Sequence, residues 1–145
     1  MLEFGSYTCP QFRRQVTGTE ALMAKYRDQV QFVLVYIIEP YPVGTQSPYS
    51  YKEWALSYSY DEKGNPVTQP RTYDERFRLA LLCAKDAGIT ATVLVDEITN
   101  PIWQIYGTAP NLAYLIGTDG KIAEAQLWYD VDKMERAIQH YLNSR

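Results

Sequence analysis

The residues with chemistry to offer are two cysteines, a carboxylate at the end of a hydrophobic run, and a proline turn late in the chain. Cys9 lies in Gly5-Ser6-Tyr7-Thr8-Cys9-Pro10-Gln11-Phe12. Proline suits the first position of a helix, where its missing N–H is not needed, so Cys9 falls at the N-cap. A first helical turn has unpaired N–H groups and a partial positive charge. Both favour thiolate over thiol, so the expectation is a lowered pKa and a nucleophilic sulfur. Gly5 and Ser6 fit the turn, and the Thr8 hydroxyl is a candidate donor to the sulfur or to a bound oxygen. Position 12 is Phe, which leaves no local Cys-x-x-Cys pair. What remains is one-thiol chemistry: attack on a peroxide, a halogen or a mixed disulfide, giving a sulfenic acid, a sulfenyl halide or a disulfide. A second thiol must then regenerate Cys9. The competing reading is a small buried residue, the usual fate of a free cysteine.

Glu39 ends the run Gln31–Ile38. It reads either as a general acid that also orients substrate or as a solvated loop carboxylate. Tyr41, Tyr49, Tyr51, Trp54, Tyr58 and Tyr60 either line an aromatic pocket over Cys9 or staple a long loop to the core. Arg71 is a candidate anion holder, against the ordinary solvated arginine. Cys83, between Leu82 and Ala84, is a resolving thiol or inert packing. His140, the single histidine, falls outside the apolar stripe of the last helix and carries no catalytic role. One His and two separated Cys do not make a zinc site, so no metal is expected.

The 145 residues suit one domain, 1–145, whose first strand is cut short at Met1. A formal net charge of −3 argues against a nucleic-acid partner, which would need concentrated Lys and Arg. No apolar run approaches the roughly 20 residues of a membrane span, and no leader pattern is visible. A cytoplasmic protein off the membrane is the expectation.

Residues 1–5 read as a strand stub and Pro10–Tyr26 as a helix, with Gly18 as a kink. The β-branched and aromatic run Gln31–Ile38 reads as a strand buried on both faces. Residues 40–71, with five prolines and two glycines, read as a long loop with a short helix near Tyr51–Tyr58. Thr72 and Glu75 form a capping box ahead of a helix that Gly88 ends. Thr92–Val95 is a short strand, and Asn100-Pro101 starts a short helix that stops at Gly107. Leu112–Ile116 and Lys121–Trp128 form a hairpin around Asp119-Gly120. Asp130 caps the last helix, with Val131, Met134, Ile138, Tyr141 and Leu142 inward.

This order predicts an α/β fold of thioredoxin-like type, a central mixed sheet flanked by helices. The extra strand and helix before the hairpin point to its peroxiredoxin-like variant. In thioredoxin-like proteins a cis proline faces the thiol from the turn before the hairpin, so Ala109-Pro110 is expected to be cis and to offer a backbone edge to substrate.

Phe4 through Phe12 resembles the active-site segment of the iodothyronine deiodinase family, with Cys9 where the animal enzymes carry selenocysteine. Val35-Tyr36-Ile37-Ile38-Glu39-Pro40-Tyr41-Pro42 resembles that family's second block. Gln69-Pro70-Arg71-Thr72, Glu75-Arg76, Val95-Asp96 and Ala109-Pro110 resemble its bacterial relatives. The resemblance implies Cys9 as nucleophile, Glu39 nearby, no bound cofactor, and an external thiol or dithiol reductant. The partners it implies are a small-molecule substrate, a reductant such as a thioredoxin-type protein, and a second copy in a homodimer. Two departures stand out. Cysteine is a weaker nucleophile and poorer leaving group than selenocysteine, so halogen removal should be slower. The family's histidine after the second strand is Tyr41 here. A thiol-dependent oxidoreductase with Cys9 as nucleophile is therefore the first functional reading, in which reductive dehalogenation of an iodophenol competes with peroxide reduction, beside a non-catalytic binding module that keeps the fold.

Overall fold

The computed structural model describes residues 1–144, so residue 145 lies outside the described residues. The sequence folds as β1 (Leu2–Gly5), α1 (Pro10–Tyr26), β2 (Val33–Tyr36), α2 (Tyr73–Ala87), β3 (Thr92–Val95), α3 (Pro101–Tyr106), β4 (Ala113–Ile116), β5 (Ile122–Gln126) and α4 (Val131–Asn143). One mixed sheet has the strand order β3-β2-β1-β4-β5. β1 pairs parallel with β2 and antiparallel with β4; β2 pairs parallel with β3, and β4 antiparallel with β5.

The layering follows from connection handedness. The crossovers β1→β2 and β2→β3 step the same way along the sheet, and a shared right hand puts α1 and α2 on one face. The chain then returns across the sheet to β4 through α3 on the other face. Side chains alternate accordingly. Phe4, Val35, Ile37 and Tyr114 pack with Ile102, Trp103 and Tyr106 of α3. Leu34 and Tyr36 pack with Phe12 and Val16 of α1 and with Ala80 and Cys83 of α2. Ala113 and Leu115 pack with Leu22 and Tyr26 of α1 and with Met134 and Ile138 of α4.

Local signals account for the helix ends. The Thr72 hydroxyl accepts from Glu75 N at 3.2 Å, and Glu75 reaches one residue further back than a capping box, to Arg71 N at 2.7 Å. The Asp130 side chain accepts from Lys133 N, and Gly88 closes α2 in the left-handed conformation. The Asn100 side chain does not cap α3. That work falls to the buried carboxylate of Asp96, which accepts from Ile102 N (3.1 Å) and Trp103 N (3.0 Å).

Three local expectations are corrected. α1 runs unbroken through Gly18, whose absent Cβ would meet a Val131 methyl at 3.1 Å, so the glycine permits α4 to approach rather than kinking the helix. The long loop holds no helix across Tyr51–Tyr58, only a 3-10 turn at Ser57–Ser59. It is fastened instead by Val43 N to Val67 O (2.8 Å) and by the buried Ser59 hydroxyl on Tyr41 O (2.6 Å). The Ala109–Pro110 bond is trans, since the described residues contain no cis peptide. Trans is favoured by about 0.5–1 kcal/mol when nothing selects cis. The turn is closed by the next side chain, with Asn111 Nδ2 donating to Phe4 O at 2.9 Å. No described helix is long and apolar enough to cross a membrane.

β1 delivers Cys9 to the mouth of α1, and Gly5 sets how closely the two meet. A Cβ on Gly5 would stand 2.3 Å from the Phe12 ring. Gly5→Ala is therefore expected to cost about 2–3 kcal/mol through overpacking. Gly18→Ala should stay within about 1 kcal/mol of wild type, because helix propensity offsets its milder crowding. Urea denaturation of both variants checks this, and equal stabilities would refute the close strand–helix approach.

Candidate active site around Cys9

Cys9 adopts extended backbone angles at the N-cap of α1, and its Sγ accepts from Phe12 N at 3.4 Å. The expected N-terminal amide is thus in place. The lowered pKa is not: the residue is 1% exposed, and burial pushes the thiol up to about 11, with the Phe12 and Gln11 amides opposing and the Glu39 and Glu3 charges adding to the rise. That direction favours the thiol over the thiolate near neutral pH. Magnitudes explain the outcome. A helix terminus offers roughly 0.3–1 kcal/mol at exposed positions, whereas full burial moves a pKa by up to about 3–5 units at 1.36 kcal/mol each.

Glu39 is fully buried, which overturns the solvated-loop reading. Its Oε2 accepts from Thr8 N and from Thr8 Oγ1, each at 2.8 Å, and its Oε1 from the Tyr36 hydroxyl. The Tyr36 oxygen in turn accepts from Tyr7 N at 3.0 Å. Gln69 grips the Glu39 backbone from both sides, receiving N–H at 3.0 Å and donating to the carbonyl at 2.9 Å. Burial raises the Glu39 pKa, and the hydrogen bonds from Tyr36 and Thr8 counter it. The Thr8 hydroxyl spends its proton on Glu39 and accepts Tyr41 N at 3.1 Å, so it does not donate to the sulfur as the sequence suggested.

Beside this network lies a cleft of about 440 Å³ lined by Tyr41, Tyr49, Thr108, Ala109, Pro110, Leu127 and Trp128. Tyr41 and Tyr49 both lie within electrostatic reach of the Cys9 thiol. Gln11, two residues into α1, donates to Tyr129 O at 3.3 Å, and Tyr129 N donates to Asn111 O at 3.0 Å. The mouth of α1 and the proline turn thus share one backbone segment. Tyr49 is fixed by Trp103 Nε1, 2.8 Å from its hydroxyl, with the two rings edge-on at 5.8 Å.

The structure joins Thr8, the neighbour of Cys9, to Glu39 and Tyr41, and Tyr41 shares the cleft wall with Ala109 and Pro110; Cys9 itself is buried and does not line the cleft. The structure does not bring in Arg71, which is exposed and lines a separate groove with Val43, Gly44 and Glu75. Cys83 is fully buried and shares an apolar cluster with Cys9; burial pushes its thiol pKa well up. Both cysteines are free. Of the six loop aromatics, Tyr41 and Tyr49 reach the cleft. Tyr51 is 96% exposed, and Tyr58 lies under the Arg13 guanidinium. Sequence reasoning missed Tyr36, Gln69 and Trp128. Tyr36 was signalled by its place at the end of β2, three residues before Glu39, and Gln69 by the Gln69–Thr72 segment; Trp128 had no local signal. No cluster of His, Cys, Asp and Glu among the described residues is arranged to hold a metal.

A 16%-identical structure, a thiol:disulfide interchange protein DsbE from Chlorobium tepidum, superposes with a TM-score of 0.65 over 97% of this chain and 77% of its own. The fold is thioredoxin-like. Thyroxine 5-deiodinase of Bos taurus is 29% identical over 90% of this chain, and that of Homo sapiens 27% identical over the same share. The chain spans 43% and 42% of the lengths of those two relatives. The iodothyronine deiodinase family model matches residues 1–128. With that match across most of its length, the chain belongs to the iodothyronine deiodinase family.

Proposed function

We propose that this protein is a thiol-dependent oxidoreductase that removes iodine from phenolic rings, with Cys9 as the attacking group. The observation that carries the reading is a buried thiol at a helix mouth, whose neighbour Thr8 binds both the Glu39 carboxyl and the backbone of Tyr41, a wall of the aromatic cleft. The first step is written as Ar–I + Cys9–SH → Ar–H + Cys9–SI. Sulfur takes the iodine, the C–I bond breaks, and the thiol proton ends on the ring carbon. An external thiol then displaces iodide, Cys9–SI + R–SH → Cys9–S–S–R + HI, and a second thiol releases Cys9–SH. The ring is reduced and the two thiols are oxidised to a disulfide.

A neutral resting thiol suits this balance, because the proton the ring needs is already in the site. Glu39 works through Thr8, whose hydroxyl it holds at 2.8 Å, and relays a proton between the cleft side and the Tyr36 hydroxyl. Tyr41, Tyr49 and Trp128 supply ring faces and edges for an aryl substrate. Cys83, in the same apolar cluster as Cys9, is the internal candidate for the resolving thiol, in competition with the external reductant. Arg71 has no part in this scheme. The specific observation behind a second reading, a non-catalytic module, is the 1% exposure of Cys9.

The first test is iodide release from an iodophenol with dithiothreitol as reductant. Wild type should release iodide, Cys9→Ala should lose at least about 100-fold, and Cys83→Ser should stay within about threefold if the external thiol resolves. No iodide release by wild type with dithiothreitol present would refute the dehalogenase reading and favour the binding module.

Glu39→Gln keeps the shape but cannot move a proton. It should lower kcat about 10²-fold with KM nearly unchanged, as expected for loss of acid–base assistance. It should also alter the pH dependence of stability. The folded pKa of Glu39 is raised, so the folded chain holds a proton the unfolded chain releases, and stability is lost as pH rises through the folded value. The variant should therefore gain on wild type in urea melts as pH climbs from 5 to 9. A gain on the acid side instead would refute the buried-acid assignment.

A further inference from the structure

Glu3 is a third buried acid group in this part of the molecule, and the chemistry above does not use it. It lies on β1, the central strand, and is 5% exposed. Its register neighbours, Leu34 on β2 and Ala113 on β4, are apolar. The titratable groups around it are Glu20 of α1, Tyr129 ahead of α4, and Cys9 at the mouth of α1. The Met1 amine, at the start of the same strand, is engaged by Gln31 O at 2.6 Å. No described salt bridge reaches Glu3. A buried carboxylate without a cation is costly, and the usual remedy is to keep the proton.

Its one partner across the sheet completes the argument. Asn111 Nδ2 donates to Glu3 Oε1 at 3.4 Å and to Phe4 O at 2.9 Å, which accounts for both of its hydrogens. Asn111 Oδ1 is buried and has no donor. A carboxylate offers only acceptors, whereas a carboxylic acid offers the O–H that a carboxamide oxygen lacks. Asn111 directly follows Pro110, a wall of the cleft, and its carbonyl holds Tyr129 N. We propose that Glu3 is a positioning residue, held as the neutral acid, that pairs with the Asn111 carboxamide and so locks the proline turn against the strand that carries Cys9. Loss of the proton leaves a carboxylate facing an unpaired carbonyl oxygen and releases the turn.

The protonation state fits the surroundings. Burial pushes the Glu3 pKa up to about 8, with the Asn111 and Thr19 hydrogen bonds opposing and the Glu20 charge adding. A cavity of about 20 Å³ touches Glu3, Thr19 and Glu20. It is large enough for one water, and none of its lining residues lines the cleft. The purpose of the latch rests on the Cys9 site proposed above; its existence does not, and the experiment keeps the two apart.

The experiment is NMR on the full chain, following the Glu3 side-chain carboxyl carbon together with the Asn111 carboxamide and the Ala109 and Leu112 amides from pH 5 to 10. In wild type these signals should move together with one midpoint near 8. In Glu3→Gln, which keeps a donor at every pH, the Asn111 and turn signals should stay at their low-pH positions. Glu3→Met, which packs without a donor, should shift the Asn111 carboxamide at pH 6 and speed amide exchange at Leu112 at least tenfold. The proposal is overturned if the turn signals titrate unchanged in Glu3→Gln, if Glu3 titrates below pH 6, or if Glu3→Met leaves Asn111 in place. None of these readouts depends on iodide release, so failure of the dehalogenase reading would leave the result standing.

Discussion

A single carboxyl, that of Glu39, joins the parts on which the Cys9 site depends. It receives two donors from Thr8, in the turn that carries Cys9, and one from Tyr36, at the end of β2. Gln69, at the far end of the long loop, clasps its backbone. Three segments, those of Thr8, of Tyr36 and Glu39 itself, and of Gln69, therefore meet at one residue with no ion-pair partner among the described salt bridges. Leaving any of these buried polar groups unpaired costs about 1–3 kcal/mol. The network is thus rigid by mutual need: Glu39 requires the donors, and the Thr8 and Tyr7 amides require the acceptors that Glu39 and Tyr36 provide.

That rigidity has an electrostatic consequence. All hydrogen-bond donors into Glu39 are neutral dipoles, and the groups around it are buried, so negative charge there is poorly supported by solvent. Cys9, Tyr36 and Glu39 all have raised pKa values, burial being the leading cause each time. The helix mouth supplies an amide to the sulfur, yet it is outweighed. A thiol of this kind is unsuited to exchange with disulfides in open solution, where attack needs thiolate at ambient pH.

How much of this could be read from the sequence follows the range of the interactions involved. Pro10 after Cys9, Thr72 before Glu75 and Asp130 before Val131 are signals within one helical turn, and each marks its helix start in the structure. The element order, and with it the mixed sheet, was legible because hydrophobic period and turn residues agree along the chain. The trans Ala109–Pro110 bond was not, because the isomer depends on what closes the turn, here Asn111 reaching Phe4 across 107 positions. Gly18 looked like a helix breaker, since the Val131 methyl that needs its missing side chain is also remote in sequence. The charge state of Cys9 is not legible locally for the same reason. Its N-cap position is local and visible, whereas its burial is set by Tyr7, Val16 and Tyr36 packing around it and is a property of the whole fold.

The shape of the cleft argues between the two small-molecule readings. Peroxide reduction and dehalogenation draw on the same thiol and the same proton, so the sulfur alone does not separate them. A peroxide needs little more than the space at the sulfur. The cleft offers about 440 Å³, within the size range of drug-like ligands. Three of its seven lining residues are aromatic, none is charged, and Trp103 holds one of the rings in place. Preorganised aromatic area is wasted on a peroxide and well matched to an aryl ring. The chemistry proposed for Cys9 thus derives its direction from the walls around it.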